Sequence, residues 1–416
     1  MARKKKENTG KEAPKTKGKA KTTNKEEAQQ SLIKMSQIHS ALGKFFKEGD
    51  LGVVELDHKS QTRSHPHNPT GSVVVDFLIG GQPNEKGVKP CPGFPKGRLI
   101  NVYGMESSGK TTLALTAAAT VIQNGGRVCF IDWEHAIDLR YAFSLGIPRD
   151  PEKFFMVQPR TLETGMAVAY TMARGKVDLV IFDSVTAGVP KAIMDQKLDA
   201  IGELSGGMGL DARLWSEFLR KFKESIAKSG TSAVGISQLR HKVSPGSMGP
   251  KTQTAGGNAW KFYSELRIML TRVKTEKGKI YSSFTNKVTD GATGIHVRAR
   301  IDKCKVAPTQ GMEADFFIRF GEGIDDVRSI IDAAQAHGII SKKGSWFVWE
   351  RATDPVKAQG IEGFRTKLLG TQGAWEELHS KTMERVSSAS SDGVILDTEE
   401  DVDVEVEDFS FITGSD

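Results

Sequence analysis

Long hydrophobic runs are missing from this 416-residue chain. Its longest apolar stretches, such as Leu179–Phe182, fall far short of the ~20 residues a membrane helix needs, so no spanning segment is expected. The basic N-terminus has no apolar stretch behind it, and no secretory signal is expected. Cysteine is scarce. Cys91, Cys129 and Cys304 are widely spaced, so they make neither a disulfide framework nor a CxxC metal pair, and a reducing compartment fits. Cys129 lies in an apolar run and is expected in the core. His58, His65 and His67 share a proline-containing stretch without cysteines or paired carboxylates, so no metal site is expected there. No internal repeat is visible.

Charge is plentiful and uneven. The net charge is +7. Residues 1–30 hold ten Lys and Arg against four Glu, whereas residues 397–416 hold nine acids and no base. A basic body with an acidic tail suggests a polyanion partner and a tail that competes with it; solubility alone is the plainer reading.

The length suggests about two to three domains. Residues 1–30 lack the apolar surface to offset chain entropy and are expected to be disordered. Residues 31–70 hold an amphipathic helix, with Leu32, Ile33, Met35, Ile38, Leu42, Phe45 and Phe46 at helical spacing, and then a linker. That helix must bury its stripe on its own core or on a neighbouring subunit. Residues 71–330 alternate short apolar strands with helical segments, which implies parallel strands joined by crossover helices. Residues 331–386 form a smaller region with Trp346, Trp349 and Trp375, ending in a helix near Val386. Residues 387–416 turn to Ser, Gly and acids and are expected to be disordered.

The chemistry starts at Gly104-Met105-Glu106-Ser107-Ser108-Gly109-Lys110-Thr111, which matches G-x-x-x-x-G-K-[ST] between a strand (Leu99–Tyr103) and a helix that begins near Thr112. Backbone N–H groups at such a loop curl around phosphate oxygens, and the helix N-terminus adds positive potential. Lys110 would reach the terminal phosphates and the Thr111 hydroxyl would ligate Mg²⁺. Asp183, at the end of the strand Leu179–Phe182, is the candidate second Mg²⁺ ligand. Hydrolysis also needs a group to orient or deprotonate water. Glu134 closes a strand and is the candidate, with Asp132 and His135 as competitors.

Together these residues resemble the bacterial RecA recombinases, from about Ser31 to Val386. The likeness is densest in GMESSGKTTLAL (104–115), FIDWEHAID (130–138), IFDSV (181–185), ISQLR (236–240), TAGGNAWKFY (254–263) and FGEGI (320–324). The resemblance implies an α/β fold: a RecA-type P-loop ATPase core with a mostly parallel central sheet, an N-terminal polymerisation helix and a small α+β C-terminal domain. It implies a DNA-dependent ATPase, with ATP and Mg²⁺ as cofactors. Such a protein forms filaments on single-stranded DNA, pairs it with homologous double-stranded DNA and exchanges strands in recombination and repair.

Residue by residue, the resemblance makes Glu134 the activator of water. Asp138 and Tyr141 hold the adenine. Gln238 senses the γ-phosphate and couples it to the loop that follows. Lys303 and Lys305 reach the neighbouring subunit's ATP, where a solvated edge strand would be the plainer reading. Phe262 is an interface residue. Two loops would bind DNA: about 202–213, with Gly206, Gly207, Met208, Gly209 and Arg213, and about 239–258, with Arg240, Lys242, Lys251, Gly256 and Gly257. Sequence-tolerant, salt-sensitive binding follows from such contacts. Accessory recombination proteins and a repressor that self-cleaves in the SOS response are further partners of the family. The family also places the protein in the bacterial cytoplasm.

Several residues depart from the family pattern. Met105 replaces a usual proline, Trp133 a small residue, and Phe320 a tyrosine. Ser247-Met248 stands where an aromatic residue is common. With the insertion near 84–94 and the long basic N-terminus, these point to a divergent, phage-borne branch. A hexameric helicase with the same core would carry a separate N-terminal domain. A non-hydrolysing scaffold would not keep Lys110, Thr111, Glu134 and Asp183.

Overall fold

The computed structural model describes residues 63–84, 86–196, 209–241, 252–254 and 259–391. The expected N-terminal helix, both expected terminal tails up to residue 30 and beyond residue 391, and Gly206, Gly207, Met208, Lys242, Lys251, Gly256 and Gly257 lie outside them.

A ten-stranded sheet organises the core. Its parallel part is β3 (Leu99–Gly104), β4 (Val128–Asp132), β5 (Phe154–Val157), β6 (Leu179–Asp183) and β7 (Ser232–His241), in the order β3-β7-β6-β4-β5. β9 (Leu266–Ser282) joins β3 in parallel. β10 (Lys287–Cys304), β11 (Glu313–Arg319) and β12 (Gly323–Ile324) then extend the sheet antiparallel. β8 (Thr252–Thr254) pairs antiparallel with the end of β7. Outside this sheet, a short pair joins β1 (His67–Asn68) to β2 (Phe94–Pro95).

Strand periodicity explains why the central strands are apolar throughout. Successive side chains face opposite sides. On β4, Val128 and Phe130 enter one core cluster while Cys129 and Ile131 enter the other. Leu179 and Ile181 on β6 alternate with Val180 and Phe182 in the same way. One face is covered by α2 (Lys110–Gln123), preceded in the chain by the short α1 (Val73–Asp76). The other is covered by α4 (Leu162–Arg174), α6 (Leu210–Ser229) and α7 (Ala259–Tyr263). Two small helices, α3 (Leu139–Ser144) and α5 (Lys191–Met194), lie in the connections between these layers. α6 presents Trp215, Leu219, Phe222 and Ile226 on one buried stripe, spaced as an amphipathic helix requires. It stops at Gly230, whose left-handed backbone donates its N–H to Ile226 O.

A third cluster forms the C-terminal region. α8 (Asp326–Ala336), β13 (Ser341–Lys343), β14 (Trp346–Trp349), β15 (Val356–Gln359), α9 (Gly360–Gly370) and α10 (Ala374–Ser391) build it. α8 straddles the expected boundary at residue 331. α10 runs to Ser391, so residues 387–391 are helical and not the start of a disordered tail. Trp349 is buried, whereas Trp346 is substantially exposed.

Two other expectations need correction. Arg213 sits in the first turn of α6, not on a loop, because the helix begins directly after Gly209. The segment 239–258 is not wholly loop, since Leu239, Arg240 and His241 continue β7 and pair with β8. The sequence also gives little sign of how far β9 and β10 run. They continue past Leu270, the last partner of β3, and beyond Glu276 and Gly294, where the pairing with β11 also ends, they run on as a two-stranded ribbon. Most of the ribbon is exposed on both faces, so its residues lack the apolar alternation that marks a half-buried strand. Among the described residues no helix is long and apolar enough to cross a membrane.

Candidate nucleotide site

Register brings the site together. Gly104 at the end of β3 lies opposite Gln238 on β7, and Asp132 on β4 lies opposite Asp183 on β6. These are the carboxyl ends of parallel strands, where open α/β sheets bind ligands.

The loop 104–111 is built for close backbone approach. A Cβ on Gly104 would meet Leu270 O at 2.2 Å, and Gly109 adopts a left-handed φ of 87°. The N-cap of α2 is Gly109, which has no side chain to cap the helix, so the first-turn N–H groups can turn toward an anion. Ser108 Oγ donates to Met105 O at 2.8 Å and Lys110 Nζ donates to the same carbonyl at 2.7 Å. The loop is thus closed by its own side chains. Burial lowers the Lys110 ammonium pKa, while the Asp183, Glu134 and Glu106 carboxylates oppose that shift. Glu106 and Ser107 are exposed on the outer rim of the loop.

The Thr111 hydroxyl donates to Asp183 Oδ2 at 2.8 Å. Asp183 is buried, and its carboxyl is pushed up to about 7 chiefly by burial, with Glu134 and Asp132 adding repulsion. A divalent cation at this point would relieve that penalty. One hydroxyl and one carboxylate suit Mg²⁺, which takes most of its ligands from water and phosphate. Among the described residues no group of three or more His, Cys, Asp or Glu gathers into a metal cage.

Glu134 and Gln238 meet directly: Gln238 Nε2 donates to Glu134 Oε1 at 2.8 Å. Glu134 is exposed at the mouth of the site. Its competitor Asp132 is fully buried, accepting from His135 N at 2.9 Å and Gln158 Nε2 at 2.9 Å. His135 carries a left-handed backbone that turns the chain out of β4. Sequence reasoning missed Gln158, which stands on the loop after β5. No local pattern marks it.

Asp138 caps α3 by accepting from Arg140 N at 2.8 Å, and this donor lowers its carboxyl pKa. Tyr141 OH donates to Thr112 Oγ1 at 3.2 Å, so α3 lies against the start of α2. Burial raises the Tyr141 hydroxyl pKa.

Lys303 and Lys305 lie elsewhere in the protomer. Lys303 pairs with Arg267 near the beginning of β9, roughly 10 Å along the strand from Leu270, the residue level with Gly104. Lys303 Nζ donates to Phe262 O at 3.1 Å. Burial, then the Lys305 charge, lowers its ammonium pKa. Phe262 itself is 70% exposed, although Trp260 on the same short helix is buried. Gly209 and Arg213 flank the undescribed residues 197–208, and the Arg240 backbone lies at the start of the β7–β8 hairpin.

Comparison with known proteins gives a consistent answer. Residues 34–325 match the model of the RecA N-terminal domain. The chain is 39% identical over 317 residues to Protein RecA of Caulobacter vibrioides, covering 75% of this chain and 78% of that one. It is 38% identical over 334 residues to Protein RecA of Mycolicibacterium smegmatis, covering 79% and 86%. It is 41% identical over 302 residues to Protein RecA of Fusobacterium nucleatum, covering 72% and 71%. A solved RadB recombinase superposes with a TM-score of 0.42 at 22% identity, covering 62% of this chain and 99% of that one, a likeness too loose to build on. By its sequence over more than two thirds of its length, the chain belongs to the RecA family.

Proposed function

We propose that this RecA-family ATPase forms helical filaments on single-stranded DNA and uses ATP to pair that strand with a homologous duplex and exchange strands. The hydrogen bond between Gln238 and Glu134 carries this reading, because it ties the foot of the β7–β8 hairpin to the group beside the phosphate loop. A γ-phosphate near Lys110 would offer Gln238 Nε2 a second anionic acceptor that competes with the Glu134 carboxylate. Gln238 would turn toward it, freeing Glu134 to orient water and shifting the hairpin.

Lys110 and the α2 N-terminus would bind the β- and γ-phosphates, and Asp138 and Tyr141 would hold the adenine. Thr111 and Asp183 would hold Mg²⁺, which supplies charge neutralisation on the phosphate oxygens when bound. Lys303 and Lys305, remote from the site within one protomer, would act on a neighbour's ATP as arginine fingers do, with Phe262 in the same interface. Segments 202–213 and 239–258 would neutralise DNA phosphates without reading sequence. The acidic residues 397–416 would compete with duplex for basic surface.

Strand exchange is the direct test. Labelled single strands, homologous duplex, ATP and Mg²⁺ should yield joint molecules with the full chain and none with Lys110→Ala. ATP turnover without joint molecules would overturn the recombinase reading.

A further inference from the structure

A block of aromatic rings lies behind the catalytic edge of the sheet, and its geometry assigns it a task. Trp133, immediately before Glu134, is buried and stacks on Phe182 at 6.0 Å between ring centroids, with planes 10° apart. Trp133 also meets Trp215 edge-on at 6.0 Å, and Trp215 meets Trp260 at 5.3 Å. Each tryptophan belongs to a different functional segment. Trp215 stands in the second turn of α6, the helix that follows residues 197–208. Trp260 stands on α7, directly after residues 255–258. The downstream anchors of both proposed DNA loops therefore touch each other, and one of them touches the residue next to Glu134.

The rings are tightly seated. Trp133 Nε1 donates to Thr161 O at 3.3 Å and Trp215 Nε1 donates to Val185 O at 2.9 Å. The Trp133 ring lies over Gly165 so closely that a Cβ there would meet its Cζ2 at 2.2 Å. The Trp260 ring covers Gly235, three residues before Gln238 on β7, where a Cβ would meet Cζ3 at 2.6 Å. Trp260 Nε1 is buried with no acceptor among the described residues, and ring packing positions the side chain. The backbone closes the circuit: Trp133 N and Glu134 N both donate to Asp183 O, at 2.8 Å and 3.4 Å.

We infer that Trp133 is a positioning residue that transmits DNA binding, felt through α6 and α7, to Glu134. Close-packed rings cannot shift independently. A displacement of α6 or α7 on DNA binding moves Trp215 and Trp260, and Trp133 passes the change to the adjoining peptide of Glu134. The route is additional to Gln238 and rests on the function proposed above. Where the same packing also distinguishes bound ATP from bound ADP, linkage between the two binding equilibria raises the preference for DNA in the ATP state over the ADP state.

The test compares the full chain with Trp133→Phe, Gly165→Ala and the pair Gly165→Ala/Trp133→Leu. ATP hydrolysis is measured with and without oligo(dT), and oligo(dT) affinity is measured with ADP and with a non-hydrolysable ATP analogue. Trp133→Phe should lower the ratio of DNA-stimulated to DNA-free turnover roughly tenfold and shrink the difference in DNA affinity between the two nucleotides. Gly165→Ala should lower both the melting temperature and the ratio. The pair should regain part of the melting temperature lost in Gly165→Ala, because the smaller side chain admits the new Cβ, without recovering the ratio. A pair that recovers both, or a Trp133→Phe protein with an unchanged ratio and nucleotide preference, overturns the inference alone. A full chain whose turnover ignores oligo(dT) overturns the function reading and this inference with it.

Discussion

Gln238 Nε2 and Glu134 Oε1 are 2.8 Å apart, although the two residues lie 104 positions apart in the chain. Sheet order makes this contact. β6 separates β4 from β7, and the chain after β4 crosses the end of β6, where Trp133 N and Glu134 N donate to Asp183 O. The amide therefore reaches one carboxylate while its own strand leads into the hairpin with β8. A binding event at either end that moves Gln238 or Glu134 would break this hydrogen bond.

The Thr111 hydroxyl is expected to contribute strongly to turnover. Thr111→Val keeps the shape of the side chain but removes the group 2.8 Å from Asp183. Its kcat/KM for ATP should fall about a hundredfold, a loss of about 2.7 kcal/mol, of the kind expected when a Lewis-acid site is damaged. Steady-state kinetics at fixed Mg²⁺ checks this. A loss under about threefold would contradict the assigned role.

The two lysines should act across subunits. Lys303→Ala and Lys110→Ala proteins should each be inactive, yet a mixture should regain ATP turnover. The first supplies an intact phosphate loop and the second an intact Lys303, so roughly a quarter of interfaces in a random head-to-tail assembly combine both. No recovery on mixing, with filaments visible by electron microscopy, would place the lysines outside the active interface.

Stability should fall as pH rises through the acid-to-neutral range. Asp76 and Asp326 are both raised from 3.8 to about 7, mainly by burial, despite hydrogen bonds from Thr70 to Asp76 and from Val73 N to Asp326. Between about pH 4 and pH 7 the native chain binds more protons than the unfolded one, so rising pH favours unfolding and the effect levels off above about 7. Asp326→Asn keeps an acceptor for Val73 N and should make the decline in melting temperature shallower. An unchanged slope between about pH 5 and pH 8 would contradict this.

Removing residues 397–416 takes away nine acidic side chains and no basic one. The truncated chain should bind duplex DNA more tightly at low salt, and the gain should shrink as salt rises. Equal duplex affinity and equal Mg²⁺ dependence before and after truncation would remove the tail from the account.

Local chemistry made much of the site legible. Gly104–Thr111 carries its own signature, and the positions of Glu134 just past β4 and of Asp183 at the end of β6 follow from apolar runs of the right length. Contacts set by sheet order were not legible. Nothing near Asp132 in the chain announces Gln158, and nothing near Trp133 announces Trp215 or Trp260. The β9–β10 ribbon stayed hidden because its exposed strands have no apolar period. Arg213 reads as a loop residue in the sequence because Gly206, Gly207 and Gly209 suggest a longer loop than the helix start at Leu210 allows.

ATP hydrolysis with no DNA, with single strands and with duplex, measured for the full chain beside Glu134→Gln, tests the central claim most directly. The account predicts strong stimulation by single strands. In Glu134→Gln that turnover should be lost while DNA is still bound with ATP. Turnover that ignores DNA, or a Glu134→Gln protein that hydrolyses ATP as the full chain does, would contradict it.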